Sequence, residues 1–168
     1  EPPYKVDETV KYYEECMFDY GMSVDHIIFQ YDKRFDTDSD FDDKFQVTKE
    51  MQKRYDITIN NAREFLKECK KQKVEFHHIG VIQAWSPLSM KKAARELVEM
   101  GYDYIAIGGM VPLDVDSCEE IVKAVREEIG LEIRLHLLGF AKAKQLERFV
   151  KYKITSFDST SPLIKAFK

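Results

Sequence analysis

The chain has 168 residues, 44% hydrophobic and 33% charged, with a formal net charge of −4, which suits a globular protein of one domain. Its 26 basic and 30 acidic side chains exclude a broadly basic nucleic-acid coat, although a local basic face is compatible with them. No apolar run approaches the roughly 20 residues that span a bilayer, and three scattered cysteines, Cys16, Cys69 and Cys118, fit packing positions in a reducing cytoplasm better than a disulfide framework.

In chain order, the first strand is predicted at 25–31, "DHIIFQY". An Asp-rich stretch follows over 33–45, "KRFDTDSDFDDKF", which reads as a solvated loop. It lacks the Gly and terminal Glu of an EF-hand calcium loop. A helix of roughly 25 residues comes next. The second strand, "FHHIGVIQA" (76–84), leads through "WSPL" into an amphipathic helix over 89–101 that stops at Gly101. The third strand, "YDYIAIG" (102–108), runs into the pair Gly108-Gly109. A helix over 116–130 places Ile121, Val125 and Ile129 on one side and stops at Gly130. The fourth strand, "EIRLHLLG" (132–139), a helix over 141–152 with a basic first turn, and a fifth strand, "ITSFD" (154–158), complete the order. Ser161-Pro162 reads as the N-cap and first residue of a last helix.

Strands alternating with helices predict parallel pairing through right-handed crossovers, and near-continuous apolar strands agree with a sheet covered on both faces. In such α/β folds ligands bind beyond the carboxyl ends of the strands. Those ends carry Asp32, Gln83, Gly108-Gly109, the segment His136 to Gly139, and Asp158, so one rim is expected to gather two carboxylates, an amide and a bare backbone. Each also has a structural role open to it. Asp32 can open the loop, Gln83 can satisfy a carbonyl, Asp158 can cap the last helix, and the glycines can simply turn. His77, His78 and His136 lie inside strands and are read as core imidazoles. Trp85, Tyr102 and Phe140 are read as core, with base stacking as their alternative role.

Four segments in succession, "HIGVIQAW", "GYDYIAIGGMVPL", "RLHLLGF" and "ITSFDSTSP", resemble the later strands of tRNA-guanine transglycosylases. These are (β/α)8 barrels that exchange a guanine in nucleic acid for a 7-deazaguanine base. "FDYGMSVDHIIFQYD" and "RYDITINNAREFLKECK" resemble the DNA-modifying branch in particular. The resemblance implies a partial TIM-type barrel of about five parallel strands, with residues 1–168 forming one piece of a longer enzyme. It implies Asp158 as the nucleophile that forms a covalent glycosyl-enzyme. Asp32, Gln83, Gly108 and Gly109 are implied as the residues that bind the base. The partners it implies are DNA or tRNA and a free 7-deazaguanine base, with a homodimer also possible for an open barrel. Two family features have no counterpart in this sequence. One is the "DSGGFQ"-like segment that carries a general-base aspartate, and the other is the Cys and His set of a structural zinc site. No cofactor is therefore expected in these residues. "STSPLIKAFK" also stands where the tRNA enzymes have a Thr-Arg segment, which favours a polymer other than tRNA. The competing readings are a non-catalytic nucleic-acid-binding paralogue and an unrelated barrel that holds a phosphate at its glycine pair.

Overall fold

In the computed structural model, which describes residues 4–37, 45–140 and 142–167, five strands lie in sequence order and every neighbouring pair is parallel. They are β1 (Tyr20–Met22), β2 (His77–Ile82), β3 (Tyr104–Ile107), β4 (Arg134–Leu137) and β5 (Ser156–Phe157). Between them run α2 (Lys49–Gln72), α3 (Pro87–Met100), α4 (Val115–Ile129) and a 3₁₀ segment, Ala143–Tyr152. Helix α1 (Val6–Glu15) precedes β1 and α5 (Ser161–Ala166) follows β5. This is the expected partial (β/α) barrel, in which the sheet carries helices on one face and turns the other toward a lumen.

The helices start and stop where local chemistry requires. Thr48, Ser86 and Asp114 cap α2, α3 and α4 by accepting the backbone N–H of Met51, Ser89 and Ser117. Pro87 supplies the first turn of α3, and Gly101 ends it at φ 103°, a left-handed conformation that a Cβ disfavours. Helix α2 buries Met51, Tyr55, Ile59, Ala62, Phe65 and Cys69 at helical spacing. Outward-facing strand residues Ile82, Ile105, Ile107, Leu135 and Leu137 meet Met90, Leu97, Ile121 and Val125 in the main core. Residues of opposite parity, Ile79, Val81, Tyr104 and Ala106, form a separate cluster toward the lumen. Buried Arg126 closes the core's far end by donating to the carbonyls of Gly130, Ile133, Tyr152 and Lys153.

Several elements differ from the sequence expectation. The first strand is at Tyr20–Met22, not 25–31. Gly21 lets this short strand approach its neighbours, since a Cβ there would stand 2.7 Å from Phe76 and 2.9 Å from Tyr13. Residues 25–31 have no strand partner. They cross the top of α2, where the His26 N–H donates to Thr58 Oγ1 and Arg54 donates to the Ile27 carbonyl. Of their three consecutive apolar residues, Ile28 is buried in the main core while Ile27 and Phe29 are exposed. Where a helix over 141–152 is expected, Ala143–Tyr152 is 3₁₀ rather than α-helical, with no side-chain cap at Lys142. The N-cap position of the last helix is Thr160, one residue earlier than expected, and its side chain makes no capping bond. Cys69 and Cys118 are buried, whereas Cys16 is exposed. Trp85, Tyr102 and Phe140 are core residues. The middle of the Asp-rich stretch, 38–44, lies outside the described residues. Among the described residues no helix is long and apolar enough to cross a membrane.

Strands β1 and β5 are the outer members of the sheet, each paired on one side only among the described residues. Beside them Phe18, Tyr20, Val150, Phe157, Leu163, Ile164 and Phe167 are exposed. Open parallel edges flanked by apolar side chains favour edge-to-edge association. The 168-residue chain on its own is therefore expected to self-associate and to bind a hydrophobic dye. Sedimentation velocity checks this, and a monodisperse monomer with a sharp, high-temperature unfolding transition would show that the edges need no cover.

Candidate functional site

Strand pairing brings the lumen-facing residues into rows. Val81, Ala106, His136 and Ser156 form one row, each registered with the next. One step toward the carboxyl ends, the Gly108, Leu138 and Asp158 N–H groups donate to the Ile82, Ile107 and Leu137 carbonyls. These bonds extend the ladder into a rim row of Gln83, Gly108, Leu138 and Asp158. Of the residues expected at the strand ends, Gln83, Gly108 and Asp158 thus share one row on one face of the sheet.

At one end of that row, Gln83 is only 2% exposed. Its side-chain N–H donates to Asp25 Oδ2 at 2.6 Å, while its Oε1 is buried without a hydrogen-bond partner among the described residues. A buried acceptor without a donor is rare in a native protein and marks a position where a ligand or water completes the set. The glycine pair makes this arrangement possible. A Cβ on Gly108 would come within 2.7 Å of Gln83 Cδ and closer still to its amide nitrogen, and Gly109 holds φ at 76°. The turn and the close approach therefore belong to two different residues, Gly109 for the first and Gly108 for the second. Gly108→Ala is expected to force the Gln83 amide out of place and to lower the stability of the complete protein by about 1–3 kcal/mol. Urea denaturation measures this, and an unchanged midpoint would show that the space at Gly108 is not needed.

The carboxylate bonded to Gln83 is that of Asp25, while Asp32 stands beside the end of β2, where its N–H donates to the Trp85 carbonyl at 2.9 Å. Asp32 caps the 3₁₀ turn Lys33–Asp36, accepting the Arg34 N–H at 2.9 Å. Its oxygens also accept from the Arg34 guanidinium at 2.9 and 2.6 Å, which holds the carboxyl down at about 2. The side chain lines a surface groove with Tyr31, Asp114, Asp116, Ser117 and Glu120 at the start of α4. That Asp25 reaches Gln83 follows from the position of β1. The strand ends at Met22, Ser23 takes over its pairing by accepting the Val81 N–H through Oγ, and the next carboxylate along the chain is Asp25.

Asp158 stands at the other end of the rim row with its side chain about half exposed. Its Oδ1 accepts from the Gly139 N–H at 2.8 Å and lies 3.2 Å from His136 Nε2. No donor to its Oδ2 is present among the described residues. It does not cap α5, where the Ser161 N–H donates to Ser159 Oγ instead. His136 is buried and bonded on both ring nitrogens, with Nδ1 2.6 Å from Ser156 Oγ. The three strand histidines therefore differ. His77 is exposed, His78 is held below the usual imidazole pKa chiefly by burial, and His136 belongs to the site. Among the described residues no group of His, Cys, Asp and Glu has the arrangement of a metal site. Together, these residues offer a carboxylate oxygen free to attack an electrophile. Across the rim they offer an amide and carboxylate pair that can read the edge of a flat heterocycle.

A family model described as queuine tRNA-ribosyltransferase matches residues 27–167. A protein from Salmonella montevideo, named DNA-guanine transglycosylase, is 38% identical over 167 residues, covering 99% of this chain. The chain spans 38% of that relative's length.

Proposed function

Because the chain belongs to the queuine tRNA-ribosyltransferase family, we propose that the complete protein exchanges a guanine in nucleic acid for a 7-deazaguanine base, with Asp158 as its nucleophile. The observation that carries this reading is the state of the Asp158 carboxylate. One oxygen is fixed by Gly139 and His136, and the other has no donor among the described residues. Oδ2 attacks C1′ of the nucleoside, the C1′–O bond forms as the C1′–N9 bond breaks, and the bonding pair leaves with the guanine. The covalent sugar ester then yields to the incoming base, whose nitrogen forms the new glycosidic bond as the ester opens. Two displacements at one carbon retain the configuration, as in retaining glycosidases. The departing base gains the proton that the incoming base gives up, so no net proton is consumed.

Base recognition falls to the other side of the row. Asp25 and the Gln83 Oε1 can accept N–H groups of a guanine-like edge, while the second Gln83 amide N–H and the Gly109 N–H can donate to its carbonyl. DNA is the polymer we favour, supported by the name of the Salmonella montevideo relative and by the segment after Asp158. Incubating the complete protein with DNA or tRNA and separating covalent adducts under denaturing conditions tests the proposal. A DNA adduct chased by added 7-deazaguanine is the expected result. Noncovalent binding without any adduct would favour the non-catalytic paralogue.

A further inference from the structure

We infer that His136 is a positioning residue for Asp158, itself set by a relay through Ser156 and Tyr104. The inference rests on the transglycosylase reading and adds to it the group that orients the nucleophile. Tyr104 Oη lies 2.5 Å from Ser156 Oγ, Ser156 Oγ lies 2.6 Å from His136 Nδ1, and His136 Nε2 lies 3.2 Å from Asp158 Oδ1. The register explains how the four meet. His136 and Ser156 are paired across β4 and β5, Tyr104 stands two residues before the Ala106 that pairs with His136, and Asp158 stands two residues beyond Ser156. All four share the lumen-facing parity. Small Ala106 leaves the space in which the larger side chains of Tyr104 and His136 reach across the row.

The chemistry fixes the direction of the chain. A carboxylate only accepts, so His136 Nε2 must carry the proton that faces Asp158. In the neutral ring its Nδ1 is then the acceptor and takes the Ser156 hydroxyl hydrogen, which leaves the Ser156 oxygen to accept from the Tyr104 phenol. The opposite order would set the Nε2 lone pair against a carboxylate oxygen. Tyr104 and Ser156 therefore select the tautomer, and the Nε2–H pins Oδ1 so that Oδ2 is the oxygen presented to C1′. Tyr104 is itself buried and fixed, with the Arg134 guanidinium 4.6 Å from its ring centre.

The test measures, in the complete protein, the single-turnover rate of covalent adduct formation and, separately, the dissociation constant of free guanine. His136→Leu is expected to slow adduct formation by about 10- to 100-fold, the effect of losing one buried hydrogen bond to a charged group, with guanine affinity unchanged. His136→Gln, whose side-chain amide can offer an N–H near the Nε2 position, is expected to recover most of that rate. Ser156→Ala, a smaller change should the leucine variant not fold, is expected to slow it by about 3- to 10-fold. Wild-type rates in His136→Leu, or in Ser156→Ala when the leucine variant does not fold, would overturn the role of His136. Equal losses in His136→Leu and His136→Gln would overturn it too and reduce the residue to packing. Absence of any adduct in the unaltered protein would instead overturn the transglycosylase reading, and the role of His136 with it.

Discussion

Asp158→Asn in the complete protein is expected to lower covalent capture of nucleic acid by roughly a thousandfold or more, with binding of the free base nearly unchanged. The substitution is informative because of how the carboxylate is held. Asn keeps an acceptor oxygen where Oδ1 stands, so the bonds from the Gly139 N–H and His136 are retained and the β4 to β5 rim stays closed. What it replaces is Oδ2, the oxygen without a donor among the described residues. An amide nitrogen there has a delocalised lone pair and no charge, and it can neither attack C1′ nor stabilise a sugar that is becoming cationic. Asp158→Ala would be a poorer choice, since it also strips Gly139 and His136 of their acceptor. A covalent adduct trapped by Asp158→Asn would place the nucleophile elsewhere. Normal base exchange would leave Asp158 with the role of tying down Gly139.

The contrast between Asp158 and Asp25 shows what a single sequence makes legible. The helices were marked by stop signals and caps at fixed places, Gly101, Gly130 and Ser86-Pro87, and three strands by apolar runs bounded by them. Strand ends then place Gln83, Gly108 and Asp158 in one row, because a barrel sets its rim by where strands stop. The first strand lacked those markers. It has three paired residues with a glycine at the centre, while the following "DHIIFQY" is an apolar run without a strand partner among the described residues, in which only Ile28 of Ile27, Ile28 and Phe29 is buried. A short apolar run is shared by a strand and by an extended crossing segment. His136 was visible as a residue but not as a partner. Its meeting with Ser156 depends on the register of β4 against β5, which no local pattern encodes. The parity was nonetheless present in the sequence, since His136 and Leu138, like Ser156 and Asp158, are two residues apart.

Free-base binding is where Asp25 and Asp32 separate. Asp25→Ala in the complete protein is expected to weaken binding of guanine or a 7-deazaguanine by about 2–4 kcal/mol, roughly 30- to 1000-fold. Two losses combine in that figure. The base's adjacent N–H groups lose a charged acceptor, and Gln83, only 2% exposed, loses the oxygen that orients its amide. Gln83 would then have both ends of its amide without partners in a buried place, so it would also present the wrong atom to the base for part of the time. Asp32→Ala removes something different. It releases Arg34 and uncaps the 3₁₀ turn Lys33–Asp36, a local loss of about 1 kcal/mol, and is expected to leave base affinity within about twofold. Isothermal titration of both variants with the same base makes the comparison direct. Should Asp32→Ala weaken the base and Asp25→Ala leave it unaffected, the base would sit farther out, over the groove that Asp32 shares with Asp114 and Asp116, and Gln83 would be a structural amide.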